Sequence, residues 1–168
     1  MEVVEFGPLS QAQREELEGD EPDPFDAAGA TLIYRAKEHH VGLRFHGRLV
    51  ASTGWLVVDV EVGRERFAVV GFGGVIVNER HRGRGLARQV LQAALAKAET
   101  LGPAFVILFC HDDRIGLYLN VGFHEIRAEV HVKQPHGYAA IPERTMWRAL
   151  RPDRSWPCGP LVVHSLPF

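Results

Sequence analysis

Apolar and polar positions alternate in short blocks through the first half of the chain and then lengthen into a helical period. That change of rhythm lays out the elements. Residues 3–6 can form a first strand. Ser10 and Gln13 stand three apart, as in a capping box, and open a polar helix that stops near Gly19. Residues 20–24 are acidic and contain proline, which predicts a loop. Residues 25–35 read as a second short helix interrupted by Gly29, or as no helix at all. Residues 41–45 alternate as a strand, His46, Gly47 and Arg48 turn the chain, and residues 49–62 predict a long strand with a bulge at Gly54. After a turn at residues 63–65, residues 67–77 form the next strand. Gly71, Gly73 and Gly74 interrupt it where glycine marks a bulge or a close approach by another backbone or a ligand.

The clearest helix covers residues 86–101. Leu86, Val90, Ala94 and Ala98 recur at four-residue spacing, Leu91 and Leu95 widen the stripe, and Gly102-Pro103 stops it. Residues 104–110 are continuously apolar, as in a strand covered on both faces. Residues 111–121 predict helix, 123–133 a strand, 134–142 a loop, 144–150 a strand, and 161–165 an added edge strand. An antiparallel meander, a β-α-β crossover, a second helix and a terminal hairpin together predict a mixed α/β (α+β) fold on one twisted sheet.

Composition narrows the setting. At 168 residues, 46% hydrophobic and 24% charged, the chain is expected to form one domain. A formal charge of −2 gives no general attraction to nucleic acid or to a membrane surface. Two cysteines, Cys110 and Cys158, fit a reducing compartment better than a disulfide framework. No basic, apolar leader opens the sequence, and no apolar run approaches the roughly 20 residues of a membrane span. The expectation is a soluble, cytoplasmic protein.

Residues 75–87, V-I-V-N-E-R-H-R-G-R-G-L-A, carry the most chemistry. A strand feeds a helix whose start is opened by Gly83 and Gly85, leaving backbone N–H groups without intrahelical partners. Arg80, Arg82, Arg84 and Arg88 crowd this positive end of the helix dipole, where a bound anion would account for them. A Walker A loop is excluded because no Gly-Lys-Ser/Thr is present after the spacer. A Rossmann fingerprint is excluded because Arg88 stands where a third small residue is needed, and no series of strand-helix units surrounds it.

Arg80-x-x-Gly83-x-Gly85, after Val75-x-Val77, resembles the coenzyme-A-binding signature of the GNAT-type N-acetyltransferase superfamily. Residues 115–123, I-G-L-Y-L-N-V-G-F, resemble the second signature of that family, a helical tyrosine four residues before Gly-Phe. The resemblance spans about residues 41–150, with 151–168 as a C-terminal extension of a single domain, 1–168. It implies a mostly antiparallel twisted sheet flanked by helices, acetyl-coenzyme A as co-substrate, no metal, and direct transfer of acetyl to a primary amine. Carried over by position, Val75, Ile76 and Val77 would pair with the pantetheine arm. The N–H groups of Arg82, Gly83, Arg84, Gly85, Leu86 and Ala87 would hold the pyrophosphate, and Tyr118 would protonate the departing thiolate. Chemistry agrees: strand pairing needs only main-chain groups, glycines admit a close ligand, and a phenol with a pKa near 10 can donate to sulfur. Two positions depart from the pattern, His111 for asparagine and Arg114 for alanine. His111 is then a donor, a base or a surface residue.

Several roles stay open at the level of sequence. Deprotonating an alkyl ammonium at pH 7 costs about 4.6 kcal/mol, and Glu61, Glu79, Asp112 and Asp113 are candidates to share that cost. His39 and His40 with His46, and residues 110–113, contain metal-ligating types but lack paired spacing. Cys110 and His111, as neighbours on a strand, point to opposite faces and form no dyad. Trp147, Trp156 and Tyr138 either wall an acceptor pocket or cover the sheet edge. The acceptor could be a polycation such as an aminoglycoside or polyamine, an amino acid, or a protein amine; a homodimer is left open. The alternative from another class is a non-catalytic acyl-coenzyme A sensor. A nucleic-acid-binding basic loop is disfavoured by the net charge and the missing aromatic platform.

Overall fold

The computed structural model of the chain describes residues 1–22 and 29–168. Its strands are β1 (Glu2–Phe6), β2 (His39–Phe45), β3 (Arg48–Val62), β4 (Glu65–Val77), β5 (Phe105–Cys110), β6 (His124–Ile126), β7 (Val130–Gln134), β8 (Gly137–Ala140), β9 (Arg144–Ala149) and β10 (Leu161–Val163). All belong to one sheet, with spatial order β6-β9-β5-β4-β3-β10-β7-β8; β2 takes the other part of the outer edge of β3, and β1 lies outside β2. Among the described residues only β4–β5 and β7–β10 pair parallel. The helices are α1 (Gln11–Glu18), α2 (Leu86–Ala98) and α3 (Ile115–Leu119).

Local chemistry explains most of these elements. Ser10 and Gln13 make the reciprocal capping box at the start of α1. The stripe predicted on α2 is buried: Leu86, Val90, Leu91, Ala94, Leu95 and Ala98 pack with Val70, Phe72, Val106 and Leu108 on one face of the sheet. On the other face Leu56, Val58, Val69, Phe105, Ile107 and Leu161 form a second core. β5 contributes alternate residues to the two cores, as its continuous apolar run predicts.

One open expectation is settled and four need correction. Residues 29–35 contain no helix: they run irregularly, because Ile33 exchanges hydrogen bonds with the Gln134 side chain (2.9 and 3.1 Å) and Arg35 N donates to Pro167 O (2.8 Å). The rest of the stretches at 20–24 and 25–35, positions 23–28, lies outside the described residues. The expected loop at 134–142 contains β8, hairpin-paired with β7. The single strand expected at 123–133 is two, since β6 pairs with β9 while β7 pairs with β8 and β10. The helix expected at 111–121 is a 3-10 turn at Asp112–Arg114 followed by the short α3. Finally β10 is interior, between β3 and β7, and supplies hydrogen bonds that both need.

The β3–β4 ladder carries one irregularity. Between Gly54↔Gly73 and Ser52↔Ile76, β4 spends three steps against two on β3, and Gly74 takes φ +62°. This is a β-bulge on β4, which corrects the expectation of one at Gly54 of β3, since Gly54 keeps its register with Gly73; a bulge bends a strand and re-aims the residues beyond it. Below it, Gly71 and Gly73 give room for residues 29–38 and 164–168 to lie on the face opposite α2. A Cβ on Gly71 would stand 2.3 Å from Phe168 Cζ, and one on Gly73 2.6 Å from Lys37 Cε.

This face makes two predictions about stability. Gly71→Ala is expected to cost about 1–3 kcal/mol by overpacking. Combined with Phe168→Ala it should cost less than the sum of the two, read from urea midpoints, because the clash is then gone. Burial lowers the Lys37 amine from 10.5 to about 8. Between those values the unfolded chain holds a proton the folded chain lacks, so stability rises with pH across that window. Lys37→Met should therefore lose this rise, so that urea midpoints measured at pH 8 and 10.5 differ less in the variant than in the parent.

Candidate functional site

β4 and β5 pair only at Val70↔Val106, Gly71↔Ile107 and Phe72↔Leu108. Beyond that point β4 continues to Val77 against β3, and β5 continues to Cys110 against β9, so the two strands part. Asn78 N donates to Val50 O at 3.0 Å, which fixes the direction of the backbone at this end of β4. By strand alternation Ile76 also turns its N–H and C=O toward β3, opposite Ser52, while Val75 and Val77 turn theirs into the opening. The Ile76 side chain packs under α1 with Leu17 and Leu49; Val75 and Val77 border the core beneath α2.

The chain then passes a 3-10 turn, Glu79–His81, to the start of α2 at the mouth of the opening. Asn78, a residue that no sequence pattern singled out, holds this turn in place. Its Nδ2 donates to Glu16 O (2.8 Å) and its Oδ1 accepts from Arg80 N (3.1 Å), tying the end of β4 to α1. Gly83 and Gly85 both take φ +74°, which favours glycine, and nothing lies within 4 Å of where their Cβ atoms would be. The Arg82 N–H, expected among the open amides, donates instead to Glu79 O (3.3 Å), whereas among the described residues the N–H groups of residues 83–88 have no hydrogen-bond partner and α2 has no side-chain cap. Donors, helix dipole and open space coincide there, a setting suited to an anion.

The arginines divide into two pairs. Arg80 meets Asp20 (3.3 Å), and Arg82 is held by Glu21 while its Nε donates to Val77 O (3.1 Å). The expectation that a bound anion accounts for all four is thus corrected: two have carboxylate partners in Asp20 and Glu21. Arg84 and Arg88 are exposed and make no ion pair among the described residues.

Tyr118 is 7% exposed, on α3. Its ring meets Phe123 edge-on, with centroids 5.9 Å apart, in the same core that holds Cys110 at the end of β5. Tyr118 therefore flanks the β5 side of the opening, opposite Val75 and Val77. Burial raises its pKa above the ordinary phenol value, so it carries its proton at neutral pH. Burial, with Asp112 and Glu125 nearby, likewise pushes the Cys110 thiol up to about 11, which keeps it a poor nucleophile.

The remaining candidates separate. Glu61 pairs across from Arg66 at the far end of the β3–β4 ladder and meets His164 (3.6 Å), well away from the opening. Asp112 is bound by Arg144 (2.8 Å), Asp113 lies by Arg114 (3.4 Å), and Glu79 and His111 are exposed. His39 stacks on Trp55, His40 Nδ1 contacts Gly7 O (2.8 Å), and His46 packs on Phe45, so these three serve different neighbours. Trp147 and Trp156 stack on each other beside Phe105 and Phe67, where β4 and β5 begin, and Tyr138 contacts His164 (2.8 Å). The two tryptophans pack against the second core, and Tyr138 is half exposed outside it.

Among the described residues no helix is long and apolar enough to cross a membrane. The sequence pattern of the Acetyltransferase (GNAT) domain matches residues 19–126. A search of curated proteins finds no match. Among solved structures, a GNAT family N-acetyltransferase (YhbS) from Escherichia coli, in complex with CoA, is 19% identical with a TM-score of 0.62 over 96% of this chain and 89% of that one. A GNAT family acetyltransferase from Brucella melitensis, in complex with acetyl-CoA, is 16% identical with a TM-score of 0.58 over 97% and 96%. An acyl-CoA N-acyltransferase from Pseudomonas aeruginosa is 21% identical with a TM-score of 0.56 over 88% and 99%. These likenesses are likenesses of fold, and with the domain pattern covering more than half of the sequence, the chain belongs to the GNAT acetyltransferase family.

Proposed function

We propose that this protein moves an acetyl group from acetyl-coenzyme A directly to a primary amine. One observation carries the reading: the unpaired edge of β4 leads, through Val75 and Val77, straight to the unpartnered amides at the start of α2. A ligand with an amide-bearing arm and a diphosphate would satisfy both at once. The arm would pair as an added strand with Val75 and with Val77 N–H, Val77 O being already taken by Arg82. The amides of Gly83, Arg84, Gly85, Leu86 and Ala87, with Arg82, Arg84 and Arg88 around them, would hold the diphosphate. Ile76 would support the strand through its side chain, since its polar groups serve β3. The CoA-bound relatives from E. coli and B. melitensis support this choice of ligand.

In the reaction, the amine attacks the thioester carbonyl, and no acyl-enzyme intervenes, because Cys110 stays protonated and His111 is exposed. The bulge at Gly74 offers main-chain N–H groups to the carbonyl oxygen as it gains charge. Tyr118, protonated and beside the end of β5, donates to the departing sulfur. Free Cys110 and Cys158 support a reducing, cytoplasmic setting.

Coenzyme A at 100 times its Kd should stabilise the fold by about 2.7 kcal/mol, a rise in Tm of roughly 5–10 °C. An unchanged melting curve at saturating coenzyme A would remove this reading. Tyr118→Phe should keep that thermal shift and lower kcat toward a responsive amine by about 100-fold or more. Equal turnover in the two proteins would take Tyr118 out of the chemistry, and binding without turnover by the parent toward any amine would favour a sensor.

A further inference from the structure

β6 and β7 run along β9 and β8 as one long hairpin whose two strands part in the middle. They pair from His124↔Trp147 to Ile126↔Thr145, and again from His131↔Ala140 to Gln134↔Gly137. Where they part lies a cavity of about 670 Å³, lined by residues 125–130, residues 140–145 and Asp112. Its size is that of a small-molecule site, roughly 300–1,000 Å³. Strand register sets its height on the sheet. Phe72, Leu108 and Met146 stand in one row across β4, β5 and β9. One step further come Thr145 opposite Phe109 and, on β4, Gly73, where the bulge begins. The cavity is therefore level with the place where β4 and β5 part, and two strands away from β4, roughly 10 Å at the usual spacing. Asp112 stands just past the end of β5, the strand between the two.

Four carboxylates and two guanidiniums line this cavity. Arg144 is shared by Asp112 (2.8 Å) and Glu125 (3.1 Å), Glu129 lies by His131 (3.5 Å), and Arg127 is exposed. Glu143 differs from the other three acids. One of its oxygens accepts from the Tyr34 hydroxyl, a neutral donor, and the other, Oε2, is buried with no hydrogen-bond partner among the described residues. Burial, with the Glu143 carboxylate itself, raises Tyr34 above the ordinary phenol value, so the proton stays on Tyr34 and the charge on Glu143. Two residues along, Thr145 is 2% exposed and its Oγ1 likewise has no partner. A half-buried carboxylate with unmatched charge and a buried hydroxyl with no partner are both costly. One cation bearing several N–H donors, seated beside them, would relieve both.

We propose that the acceptor is a linear diamine or polyamine, one ammonium of which is held in the hairpin cavity beside Glu143 and Thr145 while a second nitrogen reaches the thioester carbonyl at the β4 bulge. The inference rests on the donor assignment above, and it makes Glu143 a specificity residue with no part in the bond changes. The reacting nitrogen, as free amine, forms the new C–N bond with its lone pair at the carbonyl carbon, the C–S bond breaks, and the sulfur leaves as thiolate. The nitrogen passes its surplus proton to solvent. Tyr118 protonates the sulfur and is reprotonated from solvent, so amine and thioester become amide and thiol. A monoamine has no group to set beside Glu143, and an acidic tail would meet like charge there. The distance between cavity and bulge selects acceptors by length as well as by charge.

The test follows thiol release from saturating acetyl-coenzyme A with linear α,ω-diamines of increasing length, and with monoamines of matching length, as acceptors. kcat/KM should peak for diamines whose nitrogens lie on the order of 10 Å apart, and there exceed the matching monoamine by about 10- to 100-fold. Glu143→Gln keeps the side-chain volume and an acceptor for Tyr34 but removes the charge. It should lower the diamine-to-monoamine ratio by about 10-fold or more, through KM rather than kcat, and should still melt higher with coenzyme A. The length profile of the parent decides the matter even where Glu143→Gln does not fold. Coenzyme A that stabilises the parent while diamines react no better than monoamines, or with no dependence on length, or while no amine reacts, overturns the inference and leaves donor binding standing. An undiminished diamine preference in folded Glu143→Gln also overturns it, since the distal charge is then recognised elsewhere. Absence of any thermal shift with coenzyme A removes the donor assignment and this inference together.

Discussion

Everything at the candidate site depends on the hydrogen-bonding needs of half a strand. β4 is paired on both sides through Phe72, and past that residue it keeps β3 and loses β5. A strand edge with exposed N–H and C=O groups is a liability that proteins cover, shorten or use. Here it is neither covered nor short, because the chain needs β4 to run on to Val77 before it turns into α2. The bulge at Gly74 lets this happen. It bends β4 away from β5 while the ladder to β3 continues, and it reverses which side chains face which core, so that Ile76 packs under α1 and Val75 and Val77 beneath α2.

Glycine serves three separate ends within a short stretch of chain. At Gly74 it supplies a positive φ for the bulge, and at Gly83 and Gly85 it does the same for a turn whose amides stay open. At Gly71 and Gly73 the backbone is ordinary, and the missing side chain is what matters. Phe168 and Lys37 sit where a Cβ would be. The sheet thus presents a helix on one face of the opening and a thin cover of irregular chain on the other, anchored by contacts between Tyr34 and Glu143, Arg35 and Ser165, and Ile33 and Gln134. The segment at 164–168 is part of that cover, so the C-terminal extension contributes a strand to the sheet and a wall to the face opposite α2.

Much of this is legible in the order of residues. The capping box at Ser10, the bulge-prone glycines of β4, the stripe of α2 and the glycine-opened start of that helix each depend on neighbours within a few positions, and each forms where the pattern places it. The departures have one source. Residues 134–142 and 161–165 differ from expectation because a strand of three or four residues is stabilised by its partners more than by its own period. Arg80 and Arg82 look unpartnered in sequence because the acids that hold them, Asp20 and Glu21, lie about 60 residues earlier. No sequence pattern marks Lys37, whose setting exists only where β3 and β4 bring two glycines side by side.

The sequence by itself determined the long elements α1, β3, β4 and α2, where most of the backbone amides are left open, and that a tyrosine stands in a helical segment after β5, because propensity, period and turn chemistry act over a few bonds. Tertiary structure alone decided that β4 and β5 part after Phe72, that β10 lies inside the sheet, and that Lys37, Gly54, Gly73 and Phe168 meet at one point. The reason is that these depend on pairing between positions tens of residues apart, which is settled by the packing of the two cores on either side of the sheet.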